Sequence, residues 1–207
     1  YKLYCNGRFV AEGPSPSYPN VTYVQELDLT PYLQPGENLM AVHVYYQGLI
    51  NRVWVSGDLR TMLYCKLSVD GKEVLVSDES FHTAFHTGYL PDHILGYQTA
   101  YAEIYDSRAP EVGFERTDFD DSSWKKAAVF RHADYRLLPQ PTLPLTYEED
   151  TPQRMEIRQA DHGTVLFCDF GQETAGTLTA IACGTAGAQI GLCYGEELTR
   201  DGSVRYQ

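Results

Sequence analysis

The feature that most constrains this chain is a two-residue alternation of apolar and polar side chains, interrupted by turn signals roughly every ten residues. YKLYCNG alternates and ends in Asn6-Gly7, a dipeptide suited to the positive-φ positions of a tight hairpin. Arg8 to Val10 is predicted as the returning strand. GPSPSYP reads as a loop, and VTYVQELDLT resumes the alternation. LTPYLQPGENLMAVHVYYQG places a short turn at Tyr32-Leu33 before Pro35-Gly36, then a longer strand from Leu39 to Tyr46. VWVSG, TMLYCKLSVDG, KEVLVSD and SFHTAF continue the pattern, with Asp70-Gly71 as a second hairpin signal. Successive side chains on such segments point to opposite faces, so the pattern predicts antiparallel strands in a sandwich or barrel and no long helix.

The character changes at residues 132–152. HADYRLLPQPTLPLTYEEDTP carries four prolines and no clean period, which predicts an extended linker. Strand-like runs return in RMEIRQ, GTVLFCDFG, AGTLTAIACG and AQIGLCYGEEL, with Gly184 and Gly187 bracketing a turn. RDGSVRYQ reads as a hairpin tip without a partner strand. The expected organisation is a first β-domain over 1–131, the linker over 132–152, and a partial second β-sandwich over 153–207. Fewer than about sixty residues make a marginal sandwich, so the chain is expected to be a fragment of something longer.

Composition narrows the function. Lys plus Arg number 16 against 28 Asp plus Glu, a formal charge of −12. That field repels phosphate backbones, and no basic cluster offsets it, so nucleic acid is not an expected partner. No apolar run approaches the ~18 residues of a membrane helix. The cysteines, Cys5, Cys65, Cys168, Cys183 and Cys193, are odd in number and form no CxxC. Each falls where a strand takes a small apolar residue, so buried thiols are predicted rather than zinc or a disulfide framework. Free thiols and the lack of a signal-peptide pattern favour a cytoplasmic address as an expectation.

One stretch asks directly whether the chain is an enzyme. EIYDSRAPEVGFERTDFDDSSWKKA, residues 103–127, concentrates Asp106, Asp118, Asp120 and Asp121. Catalysis by paired carboxylates needs two acids flanking one bond, one of them desolvated. Asp118, Asp120 and Asp121 lie too close in sequence to flank a substrate independently. FDDSSW fits turn chemistry instead, in which Asp and Ser bond their own backbone and Trp124 folds inward as an anchor. A calcium loop is the alternative, although the DxDxDG spacing of a dedicated loop is missing.

Other candidates have plain counterparts. His82 and His86 would share a helix face and suit zinc, but the alternation around them favours a strand, where they stand ~13 Å apart. His43 sits in an apolar strand, packed or facing solvent. Tyr97, Tyr101 and Tyr105 recur every fourth position in a chain of 16 tyrosines, which suits aromatic packing or stacking on sugar. Asn20-Val21-Thr22 matches a glycosylation sequon. CGTAGAQIG is glycine-dotted but joins two predicted strands, so it offers no helix N-terminus to a dinucleotide. No GxSxG elbow is present.

Taken in order, these motifs are familiar. YKLYCNGRFVAEGPSPSYP and ELDLTPYLQPGENLMAVHVYYQG resemble the N-terminal jelly-roll region of bacterial α-L-rhamnosidases. EIYDSRAPEVGFERTDFDDSSWKKA resembles that family's "YDAR … FDDSSW" region, with Ser107 where the pattern has Ala. CDFGQETAGTLTAIACGTAGAQIGLCYGEELTRDGSVRYQ is similar to the opening of the next β-sandwich. The resemblance implies an all-β chain: a jelly-roll, galactose-binding-like sandwich followed by the start of a second sandwich. It implies a non-catalytic N-terminal fragment of a glycoside hydrolase, because the family's acid and base lie in a downstream α/α barrel. That barrel and rhamnose-containing carbohydrate are the implied partners. The inverting mechanism needs two carboxylates roughly 6.5–9.5 Å apart, and no residue here is assigned to that pair. In some relatives the jelly roll binds rhamnose with help from calcium. On that resemblance Tyr101, Glu103, Asp106 and Arg108 are sugar-binding candidates, Glu103 and Asp106 calcium candidates, and Asp120 and Trp124 structural residues. A calcium-assisted carbohydrate-binding module and a structural or adhesive sandwich without a sugar ligand are the alternatives.

Overall fold

A computed structural model describes residues 1–17, 21–46, 60–90, 92–93, 102–131, 136–161 and 163–205. The chain divides into two compact units, Tyr1–Leu145 and Thr146–Gln207. The architecture is all-β. Among the described residues the helical content is one 3-10 turn, Thr30–Tyr32, and no helix is long and apolar enough to cross a membrane.

The first unit is built from β1 (Lys2–Cys5) and β2 (Arg8–Glu12), an antiparallel hairpin turning at Asn6-Gly7. Both turn residues have positive φ, 52° and 77°, as the sequence requires. The Asn6 amide then ties this turn to a distant loop. Its Nδ2 donates to the Tyr32 carbonyl at 3.0 Å, and its Oδ1 accepts from the Leu39 backbone at 2.9 Å. β3 (Val21–Val24) follows, and β4 (Met40–His43) pairs antiparallel with β1 to complete the order β2-β1-β4. Leu3, Cys5 and Ala11 lie buried in this sheet with Ala41.

β4 is shorter than the Leu39–Tyr46 strand expected. Its partner β1 begins at Lys2, opposite His43, so the ladder has nothing left to pair, and Tyr45 and Tyr46 stand exposed. VTYVQELDLT likewise keeps only β3 as strand before the chain turns toward Thr30. The VWVSG segment lies outside the described residues.

β5 (Lys66–Val69) and β6 (Lys72–Val76) form the second expected hairpin, with Asp70 and Gly71 at φ 50° and 73°. β7 (His82–Thr83), β8 (Tyr89–Leu90), β9 (Ile104–Tyr105) and β10 (Lys125–Lys126) are two-residue strands, pairing β7 with β10 and β8 with β9. β11 (Arg136–Pro139) emerges inside the stretch expected as a linker and pairs parallel to β3, from Arg136 opposite Val21 to Pro139 opposite Val24. Gln140 and Thr142 extend the attachment: Gln140 Oε1 accepts from the Ser15 backbone at 2.8 Å, and the Ser15 and Thr142 hydroxyls lie 2.7 Å apart.

The second unit holds one long ribbon, β12 (Arg154–Ala160) with β13 (Gly163–Asp169). One face carries Glu156, Arg158 and Phe167, with the Arg158 guanidinium 3.9 Å above the Phe167 ring. The other carries Met155, Ile157 and Leu166, which are largely exposed. β14 (Glu197–Leu198) and β15 (Val204–Arg205) close a hairpin, so RDGSVRYQ does find a partner. AGTLTAIACG forms no strand, and AQIGLCYGEEL contributes only the two residues of β14. Without a neighbouring edge to bond, an extended run has no ladder. Cys183 and Cys193 lie in these runs and are exposed, contrary to the expectation of buried thiols. Cys5 is buried, and Cys65 and Cys168 are intermediate.

Candidate functional site

The acid-rich stretch folds as a chain of local turns. Backbone bonds run from Ala109 N to Asp106 O, Val112 N to Ala109 O, Phe114 N to Glu111 O, Arg116 N to Gly113 O and Phe119 N to Arg116 O. The register β8–β9 places Tyr89 directly opposite Tyr105, with ring centroids 4.9 Å apart. Just beyond this pair, Asp106 N donates to Gly88 O at 2.8 Å. Gly88 is buried there, and a Cβ on it would sit 2.8 Å from the Asp106 carbonyl and 3.1 Å from the Ala109 Cβ. Only glycine admits this approach without displacement.

Asp106, Glu111, Asp118, Asp120 and Asp121 each hold a partner. Asp106 holds Arg108 in a fork: Oδ1 accepts from the Arg108 backbone N at 3.0 Å and from Nε at 2.8 Å, and Oδ2 accepts from Nη2 at 2.7 Å. Those bonds hold the Asp106 carboxyl down at about 2. Asp118 receives the same bidentate fork from Arg116, at 3.0 and 2.7 Å, which lowers its pKa. Asp120 Oδ1 accepts from Ser122 N at 3.0 Å, again a lowering contact. Asp121 Oδ2 lies 2.9 Å from His82 Nδ1, and its carbonyl accepts from Trp124 N at 2.8 Å. Glu111 is buried and binds Thr87 twice, at its backbone N (3.0 Å) and its hydroxyl (2.7 Å). The Thr87 side-chain bond is the main cause of its lowered pKa. A general acid needs the opposite, a carboxyl raised toward neutrality.

The sequence-derived candidates are therefore only partly assembled. Asp106 and Arg108 meet, with each other. Glu103 is exposed, immediately before β9, and adds to the upward push on the Tyr89 hydroxyl, which burial raises to about 12. Tyr101 and Tyr97 lie outside the described residues, as does Asn20 of the sequon. Asp120 Oδ1 accepts from Ser122 N in its own turn. Trp124 is half-buried rather than a core anchor, packed edge-on to Phe119 at 5.5 Å. His82 and His86 part company: His82 lies in β7 against Asp121, and His86 lies in a turn. Among the described residues no group of three or more His, Cys, Asp or Glu side chains is placed to hold a metal ion. Calcium at Asp106 would have to displace a guanidinium that engages both carboxylate oxygens, so the residues present do not fit that ion.

The sequence reading passed over a cluster of rings. His43 on β4 packs within 5.6 Å of His86, 5.2 Å of Tyr89 and 5.9 Å of Phe114, centroid to centroid. Tyr4 joins through Phe114 and Phe9. Tyr89 and Tyr105 remain 40% and 43% exposed, so one side of the cluster meets solvent beside Glu103 and the Asp106–Arg108 fork. Tyr89 carries no periodic signal, because its partner Tyr105 is brought to it by long-range pairing. On the same acid-rich stretch, a hollow of about 230 Å³ is lined by Val112, Gly113, Arg116, Asp118, Phe119 and Asp120.

Comparison with known proteins agrees with this architecture. The crystal structure of a GH78 family rhamnosidase of Bacillus sp. GL1 superposes with a TM-score of 0.62 at 23% identity, over 75% of this chain. At that identity the likeness speaks for the fold alone. The chain spans 17% of the length of that rhamnosidase. Among curated proteins no sequence matches. The alpha-L-rhamnosidase N-terminal domain family matches residues 1–149, well over half of the sequence. The chain belongs to the alpha-L-rhamnosidase N-terminal domain family.

Proposed function

We propose that this chain is the non-catalytic, accessory N-terminal portion of a glycoside hydrolase that removes terminal α-L-rhamnosyl groups. The observation that carries this reading is the family match over residues 1–149. In this reading the first unit is a jelly-roll, galactose-binding-like sandwich, the second opens a further sandwich, and the catalytic carboxylates belong to another part of the enzyme. The carboxylate chemistry supports it. Asp106, Asp118, Asp120 and Glu111 are all shifted downward by bonds to donors, which suits architecture and not proton donation. The test is release of the aryl group from an aryl α-L-rhamnoside. The purified 207-residue chain is expected to give no turnover above buffer. Turnover that copurifies with the chain and disappears in Asp106→Asn or Asp118→Asn would overturn the reading.

A second reading, weak binding of a terminal deoxysugar by the first unit, is favoured by the half-exposed Tyr89–Tyr105 pair. Aromatic rings offer a face to pyranose C–H groups, and Glu103 and Arg108 offer polar contacts at the rim. Calorimetry with rhamnose at millimolar concentration, with calcium and then with chelator, tests it. Heat lost in Tyr105→Ala supports binding at this surface. No heat in either condition leaves the first unit as scaffold.

A further inference from the structure

The β1–β2–β4 sheet is covered on one side by residues that arrive from far along the chain, and two imidazoles meet at the contact. His43 projects from β4, and His86 comes from the turn before β8. The rings lie 5.6 Å apart at 39°. Tyr89 packs on both, at 5.2 and 4.9 Å, and Phe114 packs on both, at 5.9 and 6.1 Å. Both histidines are half-buried. A neutral imidazole packs among rings, whereas an imidazolium there loses hydration and faces a second imidazole at close range.

The surrounding charges matter for the sign. Lys2 stands opposite His43 in the β1–β4 register. His86, Tyr89 and Phe114 face His43 from the covering segment. Tyr105, Tyr89 and Glu111 surround His86, and Glu111 is held by Thr87. His43 therefore faces Lys2 and another imidazole, while Glu111 sits on the His86 side and Glu103 and Glu115 act on the Tyr89 and Tyr105 hydroxyls.

We propose that the His43–His86 contact is an acid-sensitive latch, which holds covering residues 86–89 and 104–114 on the sheet and loosens when His43 is protonated. Burial, the neighbouring His86 and Lys2 all push His43 below its ordinary value of 6.5. A group whose folded pKa is depressed contributes stability that is full above its unfolded value. That stability is lost as pH falls from about 6.5 toward the folded value. For one proton taken up on release, the unfolding constant rises up to about tenfold per pH unit in that window.

The test is urea unfolding of the 207-residue chain between pH 8 and pH 5, for wild type, His43→Phe and His82→Phe. His43→Phe keeps an aromatic ring at the contact and is expected to flatten the pH dependence. His82→Phe removes an exposed imidazole bonded to Asp121, outside the latch, and is expected to keep the part of the dependence that His43→Phe removes. Equal slopes for wild type and His43→Phe would overturn the latch. NMR of the wild-type His43 ring gives a second readout, whatever the folding of the variant. The latch predicts a titration midpoint below 6.5, with faster exchange of the Asp106 amide, corrected for intrinsic rate, as that midpoint is passed. A His43 midpoint at or above 6.5, or an Asp106 amide indifferent to the titration, would contradict it.

Discussion

Residues 103–127 and residues 172–196 are alike in sequence texture: both mix turn formers with apolar residues, and neither contains a long strand. Their outcomes differ. In the first, nearly every turn is closed by a backbone bond or by a carboxylate bonded two residues away, as in Asp106 to Arg108, Asp118 to Arg116 and Asp120 to Ser122. In the second, Ala188 N to Thr185 O is the one such backbone bond among the described residues. Leu178, Ile181, Ile190, Leu192 and Tyr194 are all at least half-exposed, Ile181 at 98%. Asp and Ser carry their partners with them and close structure locally, whereas a strand-forming run needs an edge from elsewhere.

The sharpest way to break this contrast is to add a methyl group to each region. Gly88→Ala places its Cβ 2.8 Å from the Asp106 carbonyl and 3.0 Å from the His86 ring. It is expected to lower stability by about 1–3 kcal/mol in urea unfolding, the usual cost of overpacking. Gly176→Ala and Gly191→Ala meet nothing within 4 Å and are expected to stay within about 0.5 kcal/mol of wild type. A silent Gly88→Ala would mean that the 103–119 turns do not seat against Gly88.

The next largest effect is expected at Glu111, which joins that seat to the turns. Glu111→Ala leaves the Thr87 N–H and hydroxyl without their acceptor, a loss of about 1–3 kcal/mol. Because the Glu111 pKa is lowered, its contribution is full above the ordinary carboxylate value of 4.5 and declines as pH falls below it. The difference between wild type and Glu111→Ala should therefore narrow on acidification. A difference that widens instead would show that Glu111 is held in its protonated form.

Trp124 sharpens the comparison at smaller scale. It is half-buried against Phe119, so Trp124→Ala is expected to shift unfolding by about 1–2 kcal/mol, less than a core aromatic. Tyr194→Ala, at a ring 73% exposed, should leave the unfolding curve in place. Equal shifts would remove the distinction between the two regions.

What the sequence made legible follows the same division. The Asn6-Gly7 and Asp70-Gly71 hairpins, the Asp120–Trp124 turn and the turn between Gly184 and Gly187 form as read, because their information is local. The β11–β3 pairing was not legible. Its proline-rich strand has no alternation to announce it, and a parallel partner more than a hundred residues away leaves no local mark. Strand-like alternation overstated β4 and the 175–196 runs, since periodicity encodes a face and not a partner. Of the candidate site, Asp106 and Arg108 were visible as neighbours in sequence. Tyr89, Glu111 and the two imidazoles were not, because only the fold brings them together.

The reading of the acid-rich segment as architecture rests on where its carboxylates titrate. Carbon-13 NMR of the Asp and Glu side-chain carboxyls, followed from pH 7 to pH 1.5, measures this residue by residue. The predicted result is that Asp106 titrates at about 2, and that Asp118, Asp120 and Glu111 each fall below the ordinary carboxylate range. Any one of the four titrating above that range would contradict this reading and return the segment to the candidates for a catalytic acid.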